Sequence, residues 1–195
     1  MGDIGNLVFI FASACVINNF TFSYFLGLCP FMGVTNKVET AVRLGVANVF
    51  VMLITSLATW VLNTYVVVKT PYLALISYIV VIASTVQFVE MVIKKLSPAL
   101  FRALGIYLPL ITTNCAILAL ALFQTSRGYG LVQGLVFALG SGLGLTLALV
   151  IMAGIREETQ VNGAPDVVKG TAMSFLIAGI LSLAFMGFAG LFSNA

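Results

Sequence analysis

Residues 4–36 form a run of 33 residues without a single charge. As one continuous helix the run would be about 50 Å long at 1.5 Å per residue. The hydrocarbon core of a bilayer is only about 30 Å thick. A segment this apolar has to span, and one this long has to break. The candidates for the break lie in Gly27-Leu28-Cys29-Pro30-Phe31-Met32-Gly33. Proline removes a donor and clashes with the preceding turn, and glycine admits unusual backbone.

The rest of the chain has the same character. Hydrophobic residues make up 61% and charged residues 8%, with mean hydropathy +1.15, against about 25% charged in ordinary soluble domains. Apolar stretches recur at residues 4–28, 38–62, 72–93, 100–123, 131–155 and 171–192. Each reaches the roughly 20 residues a membrane helix needs, and only helices satisfy their own backbone groups in lipid without closing a barrel. The expected fold is an all-α polytopic membrane protein, a single membrane domain over 1–195 with six transmembrane helices. The N-terminus lacks the positive region of a cleaved signal and reads as a first span.

Residues 35–37, 69–71, 94–98 and 126–128 read as turns. Residues 156–169, with Glu157, Glu158 and Asp166, read as a solvated loop. Lys37, Arg43, Lys94, Lys95, Arg102, Arg156 and Lys169 fall on one side, and Lys69 and Arg127 on the other. That bias puts the first group in the cytoplasm and both termini outside. A shift of 95 residues lays Leu44-Gly45 on Leu139-Gly140, Ile82-Ala83 on Ile177-Ala178, and Met91 on Met186. The reading is two three-helix repeats, 1–97 and 98–195, of inverted topology, with the first helix of each broken near the membrane centre. Coincidence between two oily halves is the plain alternative.

Several chemistries are excluded. The chain has no histidine, so histidine bases and histidine-held metals or haem are absent. Its nine basic residues are dispersed, which leaves no nucleic-acid footprint. Extramembrane segments of roughly 20 residues or fewer leave no room for a nucleotide-binding domain. Cys15, Cys29 and Cys115 are three in number, and an odd count argues against a disulfide framework.

The fourth stretch repeats the problem of the first. Between Arg102 and Arg127 lie 24 uncharged residues, interrupted by Gly105, Pro109 and Thr112-Thr113-Asn114-Cys115. Irregular backbone at membrane depth survives only where protein buries it or it lines a cavity. Cys29 and Cys115 are each attached to an expected break. Cys15 lies in an unbroken apolar run and reads as a structural thiol. For the other two, buried free cysteine is one reading. The other is a thiolate site for zinc, copper(I) or iron–sulfur, in which two thiolates form half a site and a second protein completes it. Glu90, followed by Lys94-Lys95, is an interfacial ion pair or the cytoplasmic mouth of an ion path. Glu39 is a weaker version of the same.

Asn18-Asn19-Phe20, Phe25-Leu26-Gly27-Leu28-Cys29-Pro30-Phe31-Met32-Gly33 and Leu108-Pro109-Leu110-Ile111-Thr112-Thr113-Asn114-Cys115-Ala116 resemble the RnfA/NqrE family of membrane subunits. So do Gln87-Phe88-Val89-Glu90-Met91, Ala153-Gly154-Ile155-Arg156-Glu157 and Leu183-Ala184-Phe185-Met186-Gly187-Phe188. The likeness covers essentially the whole chain. Within the family, Asn18-Asn19-Phe20, Cys29-Pro30-Phe31 and the short connection at Lys69-Thr70-Pro71 favour the Rnf branch over the sodium-pumping NADH:quinone reductase branch.

The resemblance implies an inner-membrane electron-transfer subunit of an ion-translocating ferredoxin:NAD oxidoreductase. In it Cys29 and Cys115 would ligate a [2Fe-2S] cluster completed by an RnfE-like subunit. Backbone N–H groups freed where the helices break would offset the charge of the thiolates, which makes Gly27, Gly33 and Asn114 candidates to support the cluster; a packing or backbone requirement is the equal alternative for each. RnfB, RnfC, RnfD and RnfG would be further partners, with flavin and NAD bound elsewhere in the complex. Coupling to Na+ or H+ follows from the same resemblance. An NqrE-like subunit and a secondary transporter built on inverted repeats are the alternatives, and a purely structural assembly role is a third.

Overall fold

In the computed structural model, the described residues are 2–17, 19–33, 35, 37–67, 71–96, 108–161 and 171–192. Asn18, Val34, Lys69, Arg102, Gly105, Asp166, Lys169 and the junction of the two expected repeats lie outside them. So does most of the connection between the fifth and sixth stretches.

All described regular structure is helical. Helix α1 is Gly2–Ala12 and continues as a π-helical turn, Ser13–Ile17. Two short helices follow, α2 at Phe20–Ser23 and α3 at Leu28–Gly33. Then come α4 at Val38–Leu62 and α5 at Ala74–Leu96. Helix α6 is Leu108–Thr112, α7 is Cys115–Ser126, α8 is Leu131–Val161 and α9 is Thr171–Phe192. Segments Val38–Tyr65, Ala74–Val92 and Leu131–Thr159 are long and apolar enough to cross a membrane, and Gly5–Ile17, Leu110–Ser126 and Ala172–Gly187 are shorter apolar helices. The outward faces are correspondingly oily. Phe9, Phe50, Ile76, Phe88, Phe175, Ile180 and Leu183 are all exposed, as a lipid-facing surface requires.

Two expected connections begin as helix. Helix α5 runs through Lys94 and Lys95 to Leu96, so those lysines occupy a last turn whose free carbonyls favour positive charge. Helix α8 runs to Val161. Arg156, Glu157 and Glu158 therefore extend the fifth span beyond its apolar part instead of opening a loop.

The centre of the bundle is an antiparallel pair, α4 and α8. A Cβ on Gly45 would lie 2.4 Å from Thr146 Cγ2, and one on Gly142 would lie 3.0 Å from Val49 Cγ2. A Cβ on Gly134 would lie 3.3 Å from Ser56 Oγ. Rising numbers on α4 thus meet falling numbers on α8. Glycine at these crossings lets two backbones approach where no side chain fits. Gly140 seats the first segment: a Cβ there would lie 2.8 Å from the carbonyl oxygen of Phe11.

Element positions recur at the offset of 95. The turn Ser13–Ile17 precedes Asn19 as α6, Leu108–Thr112, precedes Asn114. Helices α4 and α5 map onto α8 and α9 to within a few residues at each end.

Candidate functional site

The first segment breaks earlier than the position of its proline suggests. Asn19 is extended (φ −62°, ψ 120°) and caps α2, its side-chain oxygen accepting the Thr21 N–H at 3.0 Å. After one turn the chain leaves helix again. Phe25 and Gly27 take positive φ, 54° and 84°. Only glycine adopts that conformation freely, and Phe25 is held in it. Helix α3 then starts at Leu28, so Cys29 and Pro30 lie inside a helix and not in the break. Pro30 is tolerated because it falls in the first turn of α3, where N–H groups have no helical partner. Pro109 occupies the same kind of place in α6.

The second break is simpler. Helix α6 ends at Thr112, and Asn114 is extended (φ −75°, ψ 114°). Its side-chain oxygen accepts the Ala116 N–H at 3.0 Å, which makes it the N-cap of α7. Cys115 is the first residue of that helix.

The two breaks meet. The Gly27 N–H donates to Cys115 Sγ at 2.9 Å, and a Cβ on Gly27 would come within 3.6 Å of Asn114 Oδ1. Gly27, Asn114 and Cys115 therefore form one small cluster at the junction of the first segment and α7. Gly27 and Asn114 are buried, Cys115 half-buried and Cys29 exposed. Gly33 closes α3 on an exposed face, with Leu110 Cδ1 3.6 Å from where its Cβ would sit. Cys15 belongs to the π-helical turn and not to an unbroken α-helix. Its carbonyl accepts from Asn19 Nδ2 at 3.3 Å.

Asn19 Nδ2 also donates to Gly144 O on α8 at 2.8 Å. Asn114 Nδ2 donates to Asn48 Oδ1 on α4 at 3.3 Å. Asn48, buried completely, is a site residue that sequence reasoning missed: one polar residue in a long apolar stretch gives no sign of its partner. The end of α3 is pinned by Arg156, whose Nη1 donates to Met32 O at 3.1 Å and Thr35 Oγ1 at 2.8 Å. Glu39 is exposed and paired with Arg43 at 2.6 Å. Glu90 is half-buried near the end of α5.

Among the described residues, no three His, Cys, Asp or Glu side chains gather as a metal site would require. The donor set fits half of a thiolate cluster: two thiols, one receiving a backbone N–H and the other facing outward, where another chain could add to it.

The chain matches, over residues 7–192, the family described as Rnf-Nqr subunit, membrane protein. The A-type subunit of an ion-translocating oxidoreductase complex from Syntrophotalea carbinolica is 53% identical over 190 residues, covering 95% of this chain and 97% of that one. Its counterpart of the same description from an Azoarcus species is 50% identical, covering 90% and 92%. The A-type subunit of a Na(+)-translocating ferredoxin:NAD(+) oxidoreductase complex from Acetobacterium woodii is 46% identical, covering 95% and 97%. With a family match across nearly its whole length and relatives at this level of identity, the chain belongs to the Rnf-Nqr family of membrane subunits.

Proposed function

We propose that this multi-pass inner-membrane protein is the electron-carrying A-type subunit of an Rnf-type ion-translocating ferredoxin:NAD oxidoreductase. In this reading Cys29 and Cys115 supply half the ligands of a [2Fe-2S] cluster within the membrane, and an RnfE-like subunit supplies the rest. The observation that carries it is the 2.9 Å hydrogen bond from Gly27 N–H to Cys115 Sγ. It brings the backbone two residues before Cys29 onto the sulfur of Cys115, although the two cysteines are 86 positions apart.

The residues have distinct tasks. Cys115 is held by the cap at Asn114, and Cys29 by the short helix that Arg156 pins at its end. Gly27 offers an N–H to a sulfur that carries negative charge as thiolate. Such donation offsets the cost of charge in a low-dielectric interior. A cluster bound here would supply one-electron transfer, while the chain contributes its position at membrane depth. The two halves act as inverted repeats, with both termini outside, and RnfB, RnfC, RnfD and RnfG complete the electron path. Electron flow is coupled to Na+ or H+ movement, in keeping with the description of the Acetobacterium woodii relative.

The test is metal and acid-labile sulfide analysis of the co-purified pair of this chain and its E-type partner. Two irons and two sulfides per pair are expected from the cluster's formula. Cys29→Ser and Cys115→Ser should each remove most of the iron, since a hard hydroxyl replaces a soft thiolate poorly. Cys15→Ala should leave it in place. An assembled pair that keeps full iron with both Cys29 and Cys115 replaced defeats the reading.

A further inference from the structure

We infer that Leu145 is a positioning residue for the candidate cluster: its side chain holds the Gly27 N–H on Cys115 Sγ and so sets how readily a cluster on that sulfur is reduced. The inference rests on the reading of Cys29 and Cys115 as cluster ligands.

Gly27 is bonded toward both cysteines. Its N–H donates to Cys115 Sγ at 2.9 Å. Its carbonyl accepts the Phe31 N–H at 3.2 Å, which ties it to α3, the helix that carries Cys29. Its φ of 84° belongs to no helix or strand, so regular structure does not hold it in place. What surrounds it does. A Cβ on Gly27 would lie 3.1 Å from Leu145 Cδ1, 3.5 Å from Ala116 Cβ and 3.6 Å from Asn114 Oδ1. Asn114 and Ala116 flank Cys115 and move with it. Leu145 alone comes from a different element, the central helix α8, and it is buried. The residue before it holds the other end of the same break, since Gly144 O accepts from Asn19 Nδ2 at 2.8 Å. Two neighbouring residues of α8 thus fix where the first break begins and where its turn ends.

A hydrogen bond weakens steeply as its distance and angle depart from the optimum. Truncating Leu145 leaves an apolar void behind a residue that has no side chain to fill it. The surrounding structure relaxes part of the way into such a void, and the turn gains room to drift toward α8 and off the sulfur. Reduction adds negative charge to the cluster sulfurs, so an N–H donor favours the reduced state, and its loss lowers the potential. Water entering the void would act in the opposite sense, because its dipoles also favour the reduced state. An apolar void of this kind stays dry. The sign of the shift therefore separates loss of the N–H from hydration.

The experiment uses the intact complex with its E-type partner. Leu145→Ala with full iron content should show a more negative midpoint potential than wild type in an EPR-monitored redox titration. Leu145→Met conserves volume and should keep the wild-type potential. Leu145→Val, a smaller truncation, should shift it in the same direction and serves where the alanine variant does not assemble. A positive shift, or none, in an assembled truncation variant overturns the inference. A second readout uses the complex stripped of iron. Hydrogen–deuterium exchange in the peptide containing Gly27 should be several-fold faster in Leu145→Ala than in wild type and Leu145→Met, with α5 as internal reference. Unchanged exchange there overturns the inference as well. A wild-type complex whose EPR signal is missing, or survives Cys115→Ser, defeats the cluster reading itself and the redox role of Leu145 with it. A Cys115-dependent signal indifferent to Leu145 defeats only this inference.

Discussion

Asn19 and Asn114 stand 95 positions apart and make the same pair of contacts. Each caps the short helix that follows it, with its side-chain oxygen 3.0 Å from the N–H two residues on. Each also sends its side-chain N–H to one member of the central antiparallel pair, Asn19 to Gly144 on α8 and Asn114 to Asn48 on α4. Both breaks are thus anchored on the central antiparallel pair, α4 and α8.

Replacing either asparagine should therefore cost more than an ordinary cap. Loss of an N-cap costs about 1 kcal/mol, and loss of a net buried hydrogen bond costs about another 1 kcal/mol. Asn19→Ala and Asn114→Ala should each destabilise by about 2 kcal/mol in detergent thermal unfolding. Asn19→Ser keeps an uncharged capping oxygen and loses the side-chain N–H to the Gly144 and Cys15 carbonyls, so it should cost less than Asn19→Ala. Equal losses for the alanine and serine variants would show that the cap contributes nothing.

The glycine crossings differ in what opposes them, and this gives a second prediction. The three atoms nearest a Cβ on Gly45 all belong to the side chain of Thr146, which can be trimmed. A Cβ on Gly140 meets the backbone carbonyl of Phe11 at 2.8 Å, which cannot. Overpacking of this kind costs about 1–3 kcal/mol. Gly45→Ala should be partly rescued by Thr146→Ala, because that removes the two nearest atoms. Gly140→Ala should find no rescue in a neighbouring side chain. Additive losses for Gly45→Ala and Thr146→Ala would contradict the packing of α4 on α8.

Most of the bundle is legible in the sequence because hydropathy in a membrane protein is hard to misread. The apolar stretches at 38–62 and 171–192 coincide with α4 and α9. The break in the first segment reaches the expected Gly27, which takes positive φ, but it begins earlier, at Asn19, and Pro30 is not its cause. A proline in a first turn forfeits nothing, so Pro30 and Pro109 mark where short helices begin. The better signal is Asn19 and Asn114, since asparagine before an apolar run is a capping residue. The extents of α5 and α8 escape a reading that equates charge with loop, whereas Lys94, Lys95 and Arg156 ride on helices that continue past the apolar part. Asn48 could not be found from sequence, since its partner is 66 positions away and only the fold brings them together.

The distribution of Lys and Arg, seven on one side against two on the other, predicts an orientation with both termini outside. Reporter fusions after Lys95 and after Asp166 should report the cytoplasm, and a fusion at Ala195 the exterior. A cytoplasmic C-terminus would invalidate the assigned orientation and the inverted relation of the two halves.

The last prediction concerns Arg156, the residue that ties α8 to the end of α3. One nitrogen donates to Met32 O and to Thr35 Oγ1, and Thr35 in turn donates to Phe31 O at 2.7 Å. The guanidinium thus satisfies the Met32 carbonyl directly and supports the Thr35 hydroxyl that satisfies Phe31, at a helix C-terminus where positive charge is also favoured. Hydrogen bonds from charged donors contribute about 1.5–3 kcal/mol when buried, and the half-exposed setting of Arg156 puts the expected loss for Arg156→Met near the lower end. Arg156→Lys keeps the charge but not the planar fork, so it should recover part of that loss. The local effect should exceed the global one. With α3 released at its end, Cys29 should react faster with a maleimide in detergent solution, with no cluster bound. Cys15, half-buried in a different turn, should keep its wild-type reactivity. Unchanged labelling of Cys29 in Arg156→Met, with the protein still folded, would mean that α3 is held by its packing alone.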